Sequence, residues 1–413
     1  MKKAIRYGIA LASLVLFGSQ AFAQVTIKMP RISFAFTETH ALTATPEENT
    51  ALQALNDAFD PNSPNEVLSA AMSGMTSTIN GQLDKFDKQE KLAQGFGNAT
   101  VYAGQGATMQ GYQGYKLFSV MGGGIAGLQL PSMNLDELAM IPQNIMDKPD
   151  LYAGIAATMP VFNLGINAET VFGLIGLGDL FNNLYVNLKV GAGNLNQDFT
   201  VDSKKYALDM ESFTFGVGVN YQLLPSIGIL GGLVRWRGVN LGSGFTVQNS
   251  SFSISLPFNP LTQPIVNQNF TLGSDTYTVS GTMEAKPVIK LGSSVTTFTI
   301  PLEATTSVQA LWVFNMNLGV GADFVFGSSD IIAEASSSLN VTPAISGGSN
   351  LVSSVDPGSI TLDLGTKGVS PSLTRARIMA GLGSNFGPFK LDMPVYYYLN
   401  SGFAVGMTVG VVW

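Results

Sequence analysis

The last strand of the chain constrains its fold more than any other feature. Its large apolar side chains recur at every second position and are Phe403, Val405, Met407, Val409, Val411 and Trp413. The positions between them hold Gly, Ala or Thr, with Val412 as the one bulky exception. Such an alternation over about ten residues is typical of a strand that crosses a membrane with its apolar face toward lipid. Since hydrocarbon offers no partners for backbone N–H and C=O groups, membrane-crossing strands must close into a barrel.

The composition agrees with a chain whose exterior does not face water. Of the 413 residues, 12% are charged and 46% are hydrophobic, whereas ordinary globular domains carry about 25% charged residues. The net charge of −7 and the lack of any Lys/Arg cluster disfavour nucleic-acid binding. The absence of Cys excludes disulfides, zinc–thiolate sites and thiol catalysis.

Residues 1–23 have the pattern of a secretory signal peptide. Three basic residues (Lys2, Lys3 and Arg6) precede an apolar stretch over 9–17, and Ala21-Phe22-Ala23 forms a small-x-small cleavage site. An uncleaved anchor helix is the alternative, but the apolar stretch is too short to span a bilayer comfortably. We therefore expect this segment to direct export and to be removed.

Other segments repeat the strand alternation. Residues 213–222 and 312–326 place large apolar side chains on one face and mostly Gly, Asn, Ser and Thr on the other. A soluble β-sandwich also alternates, but it would place charges on its wet face. The sequence therefore predicts an all-β transmembrane antiparallel β-barrel over 96–413, with about 12–16 strands and fourteen as the best estimate.

The end of the chain also predicts a barrel topology with short periplasmic turns and longer external loops. Gly387-Pro388 is the predicted periplasmic turn, and the low-charge stretches over 240–286 and 328–373 are the predicted external loops. Tyr396-Tyr397-Tyr398 and Trp413 are expected near opposite membrane interfaces, where aromatic girdles occur.

The terminal strand resembles the final strand of Gram-negative outer-membrane barrel proteins, which ends in an aromatic residue, here Trp413. The resemblance implies that the alternating residues from Phe403 to Trp413 form the signal recognised by the barrel-assembly machinery. It also implies a location in the bacterial outer membrane, with outer-membrane lipid as the surrounding partner.

Residues 24–95 are predicted to form a helical segment that acts as a plug or lies in the periplasm. Thr45-Pro46-Glu47-Glu48 and Ser63-Pro64-Asn65-Glu66 are capping boxes with Pro at the first helical position. An amphipathic helix is expected next, with its apolar face formed by Leu68, Met72, Met75, Ile79, Leu83 and Phe86. Such a face indicates packing on an apolar surface more than a cofactor site.

The sequence contains no convincing catalytic or cofactor motif. Gly122-x-Gly124-x-x-Gly127 matches a dinucleotide-binding fingerprint by letter, but Pro131 would stop the helix that the fingerprint requires. The one histidine, His40, lies in the segment before the barrel, so a wall-mounted catalytic or metal-binding His is missing. We expect no enzyme activity, no cofactor and no metal site.

The predicted inner faces of the strands carry few charges. Seven charged residues oppose the large apolar side chains and are candidates for the lumen or its rim: Lys189, Arg235, Arg237, Asp323, Arg375, Arg377 and Asp392. Each could contact a solute or pair with another inward charge. General porins ring their constrictions with charge, so a nearly uncharged lumen favours hydrophobic or neutral small molecules.

The predicted architecture resembles that of the long-chain fatty-acid transporter family, which has a roughly 14-stranded barrel and an N-terminal hatch. The resemblance implies a transporter of hydrophobic compounds, gated by the N-terminal segment, with lateral release through the wall. That family's Asn-Pro-Ala hatch motif is absent, and neither Asp60-Pro61-Asn62 nor Phe258-Asn259-Pro260 replaces it. The alternative hypothesis is a surface-exposed structural or adhesive protein whose barrel is mainly an anchor.

Overall fold

Strands dominate the part of the chain that the computed structural model describes. That part comprises residues 24–60, 68, 72–77, 90–105, 115–130, 154–201, 204–257, 260–272, 275–347, 350–363, 368–399 and 401–413. The predicted signal peptide lies outside it. No helix within these ranges is both long and apolar enough to cross a membrane.

The strands, in chain order, are β1 (Gln24–Lys28), β2 (Arg31–Phe36), β3 (Phe118–Gln129), β4 (Gly154–Asn167), β5 (Leu184–Val201), β6 (Lys204–Leu224), β7 (Ile227–Ile229), β8 (Val234–Pro257), β9 (Leu261–Leu272), β10 (Asp275–Ala285), β11 (Val288–Ala310), β12 (Phe314–Ser346), β13 (Leu351–Asp356), β14 (Gly358–Asp363), β15 (Thr374–Phe386), β16 (Phe389–Tyr398) and β17 (Gly402–Val412). The helices are α1 (Glu38–Ala41), α2 (Pro46–Ala58), α3 (Glu90–Gly104) and α4 (Ala168–Gly173). Short 3-10 helices cover Gly178–Phe181 and Leu230–Gly232.

Ten of the described strands close into an antiparallel ring. Its order is β12-β11-β8-β6-β5-β4-β3-β17-β16-β15, and β15 pairs back onto β12 from Phe314↔Ser384 to Phe324↔Thr374. The terminal strand β17 pairs with β3 over eleven residues of each strand. The predicted all-β transmembrane barrel is thus confirmed, because a closed ring leaves no unpaired strand edge in hydrocarbon.

The predicted number of strands is too high for this ring. That prediction assumed strands just long enough to cross the membrane, but β8, β11 and β12 contain 24, 23 and 33 residues. They continue well beyond the bilayer, so fewer strands account for the same chain length. The prediction that 240–286 and 328–373 are loops is wrong for the same reason, because most of these residues lie in strands.

The polarity of β12 inverts along its length. In its first half the outer face carries Phe314 through Phe326 and the inner face carries Asn315, Asn317 and Asp323. From residue 328 onward the outer face is mostly polar, whereas Ile331, Ala333 and Leu339 are buried on the inner face. Twelve residues separate Phe314 from Phe326. At about 3.4 Å per residue and a strand tilt of about 35–45°, they cover roughly 29–33 Å, the thickness of a hydrocarbon core.

Phenylalanines mark the boundary at which this polarity changes. Phe215, Phe245, Phe298 and Phe326 form a row across β6, β8, β11 and β12, with ring centroids 6.1–6.4 Å apart. At the other end of the barrel, Trp312 is exposed at the β11–β12 turn, and Trp413 is exposed after β17. The two aromatic levels bound the apolar exterior, as expected for interface girdles. The end that carries Trp413 is called the Trp413 end below.

A second apolar core lies at the opposite end. The ends of β11 and β12 beyond the Phe row pack with β1, β2, β9, β10, β13, β14 and α2, and we call this unit the distal domain. Its core holds 21 buried side chains of the described residues, among them Phe34, Phe59, Tyr277 and Leu339. This core has the ordinary arrangement of a water-exposed domain, with apolar residues inside.

The N-terminal segment contributes to the distal domain and to the barrel interior. The first predicted capping box is present, since the Glu48 N–H donates to Thr45 Oγ1 and the Thr45 N–H donates to Glu48 Oε2. Leu68, Met72 and Met75 of the predicted plug face are buried in the distal core, and residues 72–77 are helical. Ile79, Leu83 and Phe86 lie outside the described residues. The predicted boundary between 95 and 96 falls inside α3.

Candidate functional site: the closed lumen

Helix α3 occupies the interior of the barrel. Twelve of its fifteen residues are buried, and it contacts β3, β4, β8, β11, β12 and β17 around the ring. Its N-terminal half lies near the distal domain, where Phe96 stacks on Phe252 at 5.7 Å between ring centroids. Its C-terminus at Gly104 reaches the level of Lys189, within the span of the membrane.

Glycines on the wall allow the helix to approach closely. A methyl group at Gly127 of β3 would lie 2.8 Å from both the Ala103 nitrogen and Tyr102 Cβ. A methyl group at Gly154 of β4 would collide with the backbone of Gly95. Small residues at these positions therefore let the helix pack directly on the sheet. The last Gly of the dinucleotide-like motif thus has a packing role.

An aromatic pair holds the last turn of α3 against the C-terminal strands. The rings of Tyr102 and Tyr398 stack with centroids 3.7 Å apart. The Tyr102 hydroxyl donates to Gln129 Oε1 at 2.7 Å and lies 2.9 Å from Ser401 Oγ. The Arg375 guanidinium lies 5.7 Å from the centre of the Tyr102 ring, within the range of a cation–π contact.

A compact charge network lies beside the helix. The Arg377 guanidinium donates to Asp323 Oδ2 and to Glu303 Oε2, both at 3.0 Å, and its side chain is only 1% exposed. The Lys189 ammonium donates to the carbonyl oxygen of Gly104, the last residue of α3. A cation at this position interacts favourably with the negative C-terminal end of the helix dipole. Two cations and two carboxylates thus neutralise one another around the helix end.

Next to the C-terminal end of α3, on the side of the Trp413 end, the lumen contains a small polar cavity of about 40 Å³. Its wall includes Gln105, Asn187, Lys189, Asn220 and Glu303. A cavity of this size holds a few waters and no larger solute. At the level of Lys189, the described part of the lumen is therefore filled by α3 and the surrounding side chains.

Most of the seven sequence-predicted charges do face the interior. Asp323, Arg375, Arg377, Asp392 and Lys189 are buried, and Arg237 is partly buried where it donates to Gln309 Oε1 at 2.9 Å. Arg235 is exposed at the Trp413 end. The network joins Arg377 with Asp323 and includes no direct contact to Arg235. Their predicted role as solute contacts stays a prediction.

Sequence reasoning missed several residues of the site. Glu303 and Lys390 alternate with large outward side chains in the same way as the charges that were found, so strand phase alone could have identified them. Tyr396 and Tyr398 face the interior, so the predicted girdle role of the Tyr396–Tyr398 run is wrong for these two. Tyr102 carried no signal, because nothing in the sequence relates α3 to β16. Among the described residues, no group of three or more His, Cys, Asp or Glu side chains is placed to hold a metal ion.

Comparison with known proteins gives one family match and several distant structures. A family model described as Lsa36-like matches residues 23–413. No curated protein matches the sequence. The translocator domain of autotransporter NalP from Neisseria meningitidis has a TM-score of 0.26 at 9% identity, covering 84% of this chain and 99% of its own. The toluene transporter TodX from Pseudomonas putida has 0.26 at 6%, covering 78% and 96%. A FadL homologue from Pseudomonas aeruginosa has 0.20 at 8%, also covering 78% and 96%.

Proposed function

The chain belongs to the Lsa36-like family, and from its geometry we propose that the barrel is an outer-membrane anchor that displays the distal domain at the cell surface. The observation that carries this proposal is the continuity of β12. One uninterrupted strand of 33 residues serves as lipid-facing wall in its first half and as core strand of the distal domain in its second. A barrel built in this way holds the domain rigidly above the membrane.

The closed lumen supports the same proposal. Helix α3 fills the interior, Lys189 binds its C-terminal carbonyl, and the wall charges pair with one another. A wall that serves as an anchor needs no open path, and filling its interior stabilises the barrel. Surface display would then be the function of the distal domain, whose outer strand faces are rich in Ser, Thr and Asn.

The orientation of the barrel follows from the short turn between β15 and β16. Outer-membrane barrels have short periplasmic turns and longer extracellular segments. The β15–β16 turn, Gly387-Pro388, lies at the Trp413 end, and the distal domain lies at the other. The distal domain is therefore expected outside the cell.

Cysteine labelling tests the display proposal directly, because the chain contains no Cys. Leu42, in the distal domain, is 88% exposed, and Lys116 lies exposed at the Trp413 end, where its N–H donates to the Trp413 carbonyl. A membrane-impermeant maleimide should label Leu42→Cys on intact cells. It should label Lys116→Cys only after the outer membrane is permeabilised. The opposite pattern would place the domain in the periplasm and refute display.

A gated channel for neutral small molecules is the second candidate. The observation that favours it is the polar cavity next to the C-terminal end of α3, because only this helix separates the cavity from the part of the lumen nearer the distal domain. The polar lining suits a neutral polar solute better than a hydrophobic one. In planar bilayers an anchor should show no unitary current, whereas a channel should open, and more often in Lys189→Met than in the exposed control Lys28→Met.

A further inference from the structure

The connection between β4 and β5 carries an unusual apolar surface at the Trp413 end. It spans the 16 residues 168–183, contains α4 and a 3-10 helix, and has two charged residues, Glu169 and Asp179. Leu174, Ile175 and Leu180 are 79%, 68% and 76% exposed. These values exceed the exposure of most lipid-facing side chains on the barrel wall itself. Three such side chains in one short segment need a partner other than water.

The connection is folded, because hydrogen bonds are made by its backbone and by the Glu169 side chain. Asn167 Oδ1 accepts from the Thr170 N–H at 3.2 Å, and Glu169 Oε2 accepts from the Asn183 N–H at 2.9 Å. Turn hydrogen bonds link the N–H groups of Ile175 and Leu177 to the carbonyl of Phe172. The rings of Phe172 and Phe181 stack at 4.4 Å. The exposed aliphatic side chains are therefore presented by a compact scaffold.

This surface continues the lipid-facing wall. The outer face of β4 exposes Phe162, Leu164 and Ile166, and the last of these lies two residues before the connection. No charged side chain interrupts the path from Ile166 to α4, and the first one met, Glu169, is bound within the connection. A folded segment with exposed apolar side chains at the end of a barrel wall suits the boundary between headgroups and acyl chains.

We propose that the β4–β5 connection is an interfacial membrane anchor, with Leu174, Ile175 and Leu180 inserted into the acyl boundary of the leaflet at the Trp413 end. The occupant of this surface is lipid, because the surface is continuous with the lipid-facing wall. The proposal is independent of whether the barrel displays a domain or conducts a solute. It gives the wall a monotopic extension on the β4–β5 side, which resists tilting of the barrel in the membrane.

Depth-dependent fluorescence quenching tests the insertion. Ile175→Cys and Leu180→Cys are labelled with a nitrobenzoxadiazole dye in the otherwise Cys-free chain and placed in nanodiscs of phosphatidylcholine and phosphatidylglycerol. Lipids with a doxyl group near the headgroup should at least halve the fluorescence at both positions. Aqueous iodide should quench them far less than a fully exposed site.

Two matched positions calibrate the result. Leu42→Cys is an exposed leucine far from the membrane and should respond to iodide alone. Met407→Cys, 56% exposed on the outer face of β17, should respond to doxyl lipid alone. Positions 175 and 180 that behave like position 42 would overturn the proposal. Positions protected from both quenchers would overturn it as well, since they would then be covered by protein instead of lipid.

Discussion

Replacing Gly127 by Ala tests whether α3 is fixed in the lumen. The added methyl group would collide with the Ala99 carbonyl oxygen and lie 2.8 Å from Tyr102 Cβ and from the Ala103 nitrogen, whereas ordinary contacts begin at 3.4 Å. The helix backbone would therefore have to move by more than 0.6 Å. It has little room to do so, because Gly97 lies against Pro371 of the β14–β15 connection and Gly104 lies against Gln248 of β8.

The expected cost follows from two opposing effects. Overpacking of this kind costs about 1–3 kcal/mol, whereas a Gly→Ala change stabilises by about 0.4–1 kcal/mol through the unfolded chain. We expect Gly127→Ala to lose about 1–2 kcal/mol of unfolding free energy. Gly124→Ala is the matched control on the same strand, since the atoms nearest to its methyl group would belong to the Met159 side chain, at 3.0–3.1 Å, and not to α3.

Urea unfolding from lipid vesicles measures both variants. The three tryptophans, Trp236, Trp312 and Trp413, lie toward the Trp413 end of the barrel wall and report its unfolding by fluorescence. Comparing the two glycine variants cancels the entropic effect and leaves the contact with α3. Equal unfolding free energies for Gly127→Ala and Gly124→Ala would refute the packing of α3 on β3.

Three further predictions concern other parts of the molecule. Val320→Lys places a charge at the middle of the lipid-facing half of β12 and should cost about 2–4 kcal/mol in vesicles, whereas Ser338→Lys, on the polar outer face of the same strand, should stay within about 0.5 kcal/mol; equal costs would contradict the assigned membrane boundary. Arg377→Met leaves Asp323 and Glu303 without their guanidinium and should cost about 3–5 kcal/mol in urea unfolding, whereas Arg31→Met, which breaks the exposed pair with Asp60, should cost at most about 1 kcal/mol. The hydrogen bond from the Thr45 backbone holds the pKa of Glu48 below its ordinary value of 4.5. The capping box should therefore stabilise α2 above that pH and lose this effect as the pH falls through the lowered pKa. Amide hydrogen exchange in α2 should become faster in acid, and Glu48→Gln should abolish this pH dependence.

The alternation of residues was sufficient to predict the barrel, because lipid imposes one rule on every membrane-crossing strand. The same alternation placed Asp323 and Arg377 inside, since an uncompensated charge on the outer face is costly. It could not predict the strand number, because strand length was unknown. The change of polarity near residue 327 of β12 was visible in the sequence and would have shown that the strand continues beyond the membrane.

The contents of the lumen were beyond sequence reasoning for a physical reason. The period of two shows which side chains share a face of a strand, but it says nothing about contacts between residues far apart in the sequence. The contacts of α3 are of this second kind and join residues such as Tyr102 and Ser401. The apolar face at Leu68, Met72 and Met75 looked like a plug, since an apolar stripe indicates burial without indicating where. It packs in the distal core, whereas α3 is held in the lumen by glycine contacts, two aromatic stacks and individual hydrogen bonds.

These two modes of packing explain why so few charges are sufficient for a chain of this size. Outside the membrane span the distal domain buries its apolar side chains in the ordinary way and exposes Ser, Thr and Asn. Inside the barrel, the carboxylates of Asp323 and Glu303 are bound by Arg377, and Lys189 binds a helix carbonyl. Charge in the lumen thus serves to hold protein against protein. A lumen organised in this way favours a fixed interior over a water-filled path, which is the reason that we propose an anchor before a channel.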